Sequence, residues 1–418
     1  TIFYNCNFTY GYLSLVTGVM LTPEEELLLA RFTRVFEQTY SRFLDLQKAE
    51  TQAREARVEA ALEKVRSRTM GMQHSDELRE VIQTVTEQLL SLGFIFDSAN
   101  FATQFDTKGF YVWNAAPGAP LLTEVYVPYT NHKFINWLFE NRKKETAFES
   151  FWCDKKEKNS FFKYYFSETD AKQAAEDVKK RIHDGKAMAV STAFRKDFAL
   201  SIFNYQGKVF SEDENDIIRR FANVFEQSYT RFLDLQKAEA QARESQIQLA
   251  LERVRARTMA MYKSDELKEV IQLILEQFVH LGLEIEAAGF MMDYKGSNDI
   301  NVWVSSPGHP LATQIHIPYF DHPIFKLFVE AKEKGFDFYT VKLTKEEKDT
   351  FITHIFQQLP GFPEEWKQQM YAAPGYADSH VMLNNIALYI QNYTGIPYSD
   401  ADNAILMRFG KAFEQTYT

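Results

Sequence analysis

Residues Ser211–Gly282 read SEDENDIIRRFANVFEQSYTRFLDLQKAEAQARESQIQLALERVRARTMAMYKSDELKEVIQLILEQFVHLG, and residues 22–93 carry a near copy. The two share RFLDLQKAE letter for letter, at Arg42–Glu50 and Arg231–Glu239. Neither Gly nor Pro occurs between Glu212 and Leu281, and those are the residues that most often end a helical ladder. About seventy residues of unbroken helical composition predict a rod on the order of 100 Å. A rod of that length exceeds an ordinary globular helix and cannot bury its apolar stripe in one domain core. The stretch therefore predicts a helix that runs between domains beside a partner helix.

The stripe has the spacing of a coiled-coil seam. Phe32, Phe36, Thr39, Phe43 and Leu46 advance in alternating steps of 4 and 3, as do Val58, Leu62, Val65, Thr69 and Met72, which keeps one face toward a partner. The candidate dimer contacts are Phe36, Phe43, Leu46, Val58, Leu62 and Val65, and in the second copy Phe225, Phe232, Leu235, Ile247, Leu251 and Val254. Leu46 to Val58 and Leu235 to Ile247 each span 12 residues, where continuous heptads need 11. This phase shift has two readings. Either the helix leaves one partner for another, or the shift is a bistable register element that passes rotation or sliding between domains.

Self-comparison sets the layout. Phe36-Glu37-Gln38 recurs at Phe225-Glu226-Gln227 and Phe413-Glu414-Gln415, intervals of 189 and 188 residues. Intervals this long mark whole domains with their helices rather than solenoid units. The expected segments are the closing strands of a truncated repeat at 1–21, a connecting helix at 22–74 and a domain at 75–210. A second connecting helix follows at 211–263, a second domain at 264–398 and the start of another helix at 399–418. A chain that starts mid-pattern, without Met, reads as a fragment of something longer.

Each complete unit opens on a helix, at Ser75-Asp76-Glu77-Leu78 or Ser264-Asp265-Glu266-Leu267, and then turns to alternating segments. ANFATQF, YVWNAAPG, TEVYVPY, AFESFW, KAMAVSTAF and FALSIFNY in the first unit correspond to AAGFMMDY, INVWVSSPG, TQIHIPY, DFYTV, SHVMLNN and IALYIQNY in the second. Period-two alternation rich in Val, Ile, Tyr and Phe and broken by turn residues predicts antiparallel strands. A helix is expected at Lys133–Lys144 and at Pro323–Lys334, with a further helix-rich excursion before the last two strands. The fold class is α+β, with about six antiparallel strands flanked by helices.

The words LDLQKAEAQARE, LALERVRARTMAM and IPYFDHPIF, with this layout, resemble tandem GAF-like sensor domains joined by signalling helices in bacterial multi-domain signal-transduction proteins. The resemblance implies a non-catalytic sensory or transmission module, and a rod that enters and leaves each domain at opposite ends predicts a parallel homodimer. The resemblance also implies coupling to a histidine-kinase, cyclase or DNA-binding output in a two-component or related system. The alternative is a dimerisation spacer that binds nothing. In the family, small molecules sit between the sheet and its covering helices. Matched residues at the strand-to-helix corner are then candidate ligand contacts: Trp113, Tyr129 and His132 in the first domain and Trp303, Tyr319 and His322 in the second, which adds His316. The structural reading of the same residues places Trp in the core and His at a helix cap. Tyr339 and His380 add polarity to the second domain.

Other chemistries find little support. His309, His316 and His322 lie at no zinc spacing and have no Cys nearby. His74 in MQHSDELR lacks the acidic neighbour and the Pro of a phospho-acceptor box and reads as a surface residue where a helix starts. Cys153 reads as a free thiol. No Gly-rich phosphate loop, nucleophile elbow or metalloprotease motif is present, so no catalytic residue is expected. The net charge of −10 opposes nucleic acid or an anionic membrane as the main partner. Two cysteines and the lack of an apolar run long enough to span a bilayer predict a reducing, cytoplasmic setting.

Overall fold

The computed structural model describes residues 1–117, 124–263, 266–307, 313–358 and 364–417. The chain divides into two compact units, Thr1–Lys237 and Ala238–Thr418.

The first unit opens on a hairpin of β1 (Ile2–Phe8) and β2 (Gly11–Thr17), followed by helix α1 (Pro23–Met70). The start of α1 is written locally. Glu25 N donates to Thr22 Oγ1, and Thr22 N donates to Glu25 Oε2 at 2.7 Å, a reciprocal cap that satisfies two orphan donors. Helix α2 (Leu78–Ser91) precedes β3 (Ser98–Thr103), β4 (Gly109–Ala115), β5 (Val125–Pro128), α3 (Lys133–Lys143), β6 (Phe148–Asp154), α4 (Lys155–Glu168), α5 (Glu176–Asp184), β7 (Ala187–Phe194) and β8 (Phe198–Asn204). Helix α6 (Glu212–Met259) follows, and the division between units falls within it. The six strands form one antiparallel sheet in the order β5-β4-β3-β8-β7-β6. One face packs against α1, α2 and the first part of α6, and the other against α3, α4 and α5.

The second unit repeats this order. Helix α7 (Leu267–His280) leads to β9 (Ala287–Met292), β10 (Ile300–Ser305), β11 (Thr313–Ile317), α8 (Pro323–Lys334), β12 (Phe338–Leu343), α9 (Lys345–Gln358), α10 (Glu364–Ala372), β13 (Tyr376–Met382), β14 (Ile386–Asn392) and α11 (Asp400–Tyr417). The sheet order is β11-β10-β9-β14-β13-β12. The later part of α6 packs with α7 and α11 on one face, and α8 and α9 cover the other.

The expected seventy-residue rod is corrected. Helices α1 and α6 are each 48 residues long. Each ends at a Met and is followed by a separate helix that folds back on it. The break in the second copy needs no Gly because side chains make it. Arg257, near the end of α6, pairs with Glu266 at 3.1 Å and Glu269 at 2.6 Å, and Tyr262 N donates to Glu266 Oε1. Arg68 pairs in the same way with Glu77 and Glu80, and Glu77 Oε1 accepts from Gln73 N and His74 N.

Nine of the twelve seam candidates are also corrected, because they pack within the chain. Val58, Leu62 and Val65 lie in the chain's own core beside Val81, Ile82 and Phe221. Ile247, Leu251 and Val254 likewise meet Ile274, Phe278 and Phe409. Phe225 is fully buried, 4.5 Å from the ring of Phe101 on the sheet, and Phe232 and Leu235 pack partly against the same core. These side chains are covered within the chain. Phe36, Phe43 and Leu46 are 47%, 56% and 55% exposed, although the Phe36 ring meets Phe8 edge-on at 5.5 Å.

Candidate functional site

Each unit encloses a cavity between its sheet and the helices on the face away from the helix bundle. The second unit's holds about 460 Å³ and the first unit's about 240 Å³.

The floor of the larger cavity is built by strand alternation. Tyr376, Asp378 and His380 on β13 line it, while Val381 faces the opposite way onto Gly410 of α11. On the neighbouring strand β14, Tyr389 and Gln391 line the cavity at register positions opposite His380 and Asp378. On the other side, Tyr339 of β12 pairs with His380. Three rings thus stack across three adjacent strands. Tyr339 and His380 lie 4.5 Å apart at 7°, and His380 and Tyr389 lie 5.4 Å apart at 23°. Cross-strand ring pairs of this kind hold orientation as well as contributing packing. The stack covers the imidazole's faces and leaves its edge for polar contacts.

The polar atoms of this floor are buried and only partly matched. Tyr376 OH donates to Asp378 Oδ2 at 2.9 Å, with Gln391 Oε1 3.1 Å away, and Gln391 Nε2 donates to Tyr393 OH at 3.1 Å. His380 Nε2 lies 3.0 Å from Asp378 Oδ2 but out of line for a hydrogen bond, so both ring nitrogens and Asp378 Oδ1 lack a hydrogen-bond partner. Asp378 and His380 are 2% and 4% exposed. Burial, reinforced by the Asp378 charge, pushes the Tyr376 and Tyr339 phenols well above their ordinary range, and burial does the same to Tyr389 and Tyr393. All four remain neutral hydroxyls at physiological pH. The walls are apolar: Met291, Ile315, Phe328, Phe351 and Ile352 among them.

The smaller cavity is mostly aromatic and apolar, with Phe110, Phe161, Phe162, Phe166 and Phe203 around it. Its polar groups are largely used up. Asn114 Nδ2 donates to Tyr165 OH at 2.8 Å, Tyr205 OH meets Ser98 Oγ at 3.1 Å, and Asp97 Oδ2 accepts from Tyr205 N.

None of the seven corner residues expected to touch a ligand lines either cavity. Trp113 and Trp303 sit on the other face of their sheets, against the helix bundles. Their strand neighbours, Val112 and Asn114 or Val302 and Val304, take the cavity side. Trp113 Nε1 donates to Glu124 Oε1 at 2.9 Å, and burial raises that carboxyl above its usual range. His132 and His322 cap α3 and α8, each accepting a backbone N–H at Nδ1. His322 Nε2 also donates to the Glu347 carbonyl at 2.9 Å, so both of its nitrogens are committed. His316 is on the outer side of β11, 2.7 Å from Asn301 Oδ1. Tyr129 and Tyr319 are about half exposed, and Tyr129 OH donates to Asn136 Oδ1.

Tyr339 and His380, singled out for polarity, do line the larger cavity. Asp378 was missed because the sequence reading starts this strand at Ser379. Gly and Asp are poor strand formers, so GYAD reads as a turn. A signal was present, since Tyr376, Asp378 and His380 sit at period two and continue the strand backward.

Cys153 is buried as a free thiol, and burial beside Glu157 and Asp154 pushes it up to about 11. Among the described residues no group of three or more His, Cys, Asp or Glu side chains is placed to hold a metal ion, and His309 lies outside those residues. No helix among the described residues is long and apolar enough to cross a membrane.

No family model matches the chain, and no curated protein does. Among solved structures, the chain is similar to a bacteriophytochrome from the photosynthetic bacterium R. palustris, at 9% identity and a TM-score of 0.32. The match covers 80% of this chain and 61% of that one, so the chain spans less than two thirds of that protein's length. A likeness of that size carries no functional inference.

Proposed function

We propose that this chain is a non-catalytic sensory and transmission module, GAF-like in class, whose second unit binds a small molecule. One observation carries the reading: the 460 Å³ cavity has a buried floor with unmatched polar atoms on Asp378 and His380. Ligand sites are commonly about 300–1,000 Å³, mostly apolar, with a few convergent polar groups. The first unit favours the spacer role, because its 240 Å³ cavity is smaller and, Asn100 Oδ1 apart, its Asn114, Tyr165, Ser98 and Tyr205 side chains are hydrogen-bonded in pairs.

In this proposal the ligand biases the packing of the helices on the far side of the sheet. The chain works as a parallel homodimer in the cytoplasm, coupled to a kinase, cyclase or DNA-binding output outside these residues. Native followed by denaturing mass spectrometry tests the sensory role. A small adduct that is lost on denaturation, and whose retention falls in a Tyr389→Trp variant, is expected. If no compound from a broad metabolite library adds to the protein or shifts its unfolding midpoint, the spacer reading replaces the sensory one.

A further inference from the structure

We infer that the second-unit cavity selects a small organic cation, a primary ammonium or amidinium group carried on a flat apolar body, with Asp378 as its counter-charge. The inference rests on the sensory reading and names the ligand class of that same site.

Charge comes first. Two carboxylates, Asp378 and Glu286, line this cavity, and among the described residues no Lys or Arg does. The first unit's cavity is lined by one carboxylate, Asp97, and one guanidinium, Arg181. An anionic ligand in the second cavity would meet two carboxylates with no Lys or Arg beside them, His380 being the one basic side chain in the described lining, whereas a cation adds the missing permanent positive charge.

The second argument is donor and acceptor matching. Asp378 Oδ2 already accepts from Tyr376, while Oδ1 has no donor. Two residues along the same strand face, His380 is stacked between Tyr339 and Tyr389, and neither of its ring nitrogens makes a hydrogen bond, although Nε2 lies 3.0 Å from Asp378 Oδ2. A buried acceptor left unpaired is destabilising, more so when charged. A ligand with several N–H donors on one charged group can satisfy Asp378 Oδ1 and the acceptor nitrogen of His380 together. A neutral hydroxyl, with one donor, cannot.

The walls agree. Tyr339, Phe351, Trp366, Tyr376, Tyr389 and Tyr393 present aromatic surface around the floor. The negative faces of such rings attract cations, and their flat surfaces pack on planar bodies.

The test uses isothermal titration of the full chain with three probes of one shape and different charge: tryptamine, 3-methylindole and indole-3-acetate. Tryptamine is expected to bind at least about tenfold tighter than 3-methylindole, the advantage of a hydrogen bond to a charged group, and indole-3-acetate most weakly. Asp378→Asn should remove most of that advantage while leaving 3-methylindole within about threefold, since only the charge term is lost. Glu286→Gln, at the cavity rim, gives a milder loss of the same sign and covers the case that Asp378→Asn misfolds. Equal or tighter binding of the neutral or anionic probe overturns the ligand class but leaves a small-molecule site. If none of the three binds, the inference also fails, and the adduct experiment above decides separately whether the site senses anything else.

Discussion

Lys348 is fully buried, and its ammonium donates to the carbonyls of Met370, Tyr371 and Ala373 at the end of α10, with Asp349 Oδ1 2.8 Å away. Replacing it with Met keeps the apolar stem and strands those acceptors. Lys348→Met should destabilise the second unit by about 3 kcal/mol or more, read as a lower urea midpoint. The capping histidines give a pH signature. Burial holds the folded His132 and His322 imidazoles below the usual value, while the unfolded chain takes up protons from about pH 6.5. Their contribution is complete above that pH and is lost as pH falls toward the depressed folded values. His322→Gln should flatten the decline in urea midpoint between about pH 7 and about pH 5. At Cys153 the raised thiol and its burial predict a native protein that reacts slowly there with a thiol reagent and gains that reactive thiol on unfolding. Single residues were the hardest scale to read from sequence. Residue type alone could not separate His322, committed to a cap and a carbonyl, from His380, whose ring edge is open.

The strands were legible because alternation of Val, Ile, Tyr and Phe is a local pattern with a local cause. Their register was not, and it decides which side of a sheet Trp113 or Asp378 faces. Gly289 shows how tight that register is. A Cβ there would lie 2.3 Å from the Trp303 carbonyl oxygen and 2.7 Å from the Tyr389 ring. Gly289→Ala should cost about 1–3 kcal/mol in equilibrium unfolding and disturb the ring stack that orients His380. The end of the second long helix was also hidden, whereas the first stops at Gly71. Composition reports what permits a helix, while the stop after Met259 is made by Arg257 and two glutamates that no breaker residue announces. The helical hairpin shares one core with the sheet and with the first part of α6. Leu62→Ala, at 2% exposure, should cost about 2–5 kcal/mol, checked by urea unfolding of the full chain.

At the scale of the whole chain, the heptad steps mixed two kinds of apolar position. Val58, Leu62 and Val65 serve the chain's own core, whereas Phe36, Phe43 and Leu46 are the part of the stripe that stays about half exposed. The 12-residue interval from Leu46 to Val58 joins these two sections, the change of partner being one of the two readings of the phase shift. If Phe43 and Leu46 line a dimer seam, the double substitution Phe43→Glu with Leu46→Glu should convert a dimer to a monomer by native mass or sedimentation. Its effect on unfolding measured in the monomer should stay within about 0.5 kcal/mol. A chain that is already monomeric before substitution counts against the homodimer.

Strand β13 has two faces with different neighbours. Asp378 and His380 look into the cavity, while Val381 rests on Gly410, where an added Cβ would come within 2.9 Å of the valine methyl. Occupancy on one side and helix seating on the other are then conjugate quantities. Whatever factor a bound molecule applies to the equilibrium between two seatings of α11, a forced change of seating must apply in return to that molecule's affinity. A methyl group introduced at Gly410, out of reach of any ligand, therefore serves as a gauge: the ratio of dissociation constants it produces measures, without any structure of the bound state, how strongly this sheet couples its two sides.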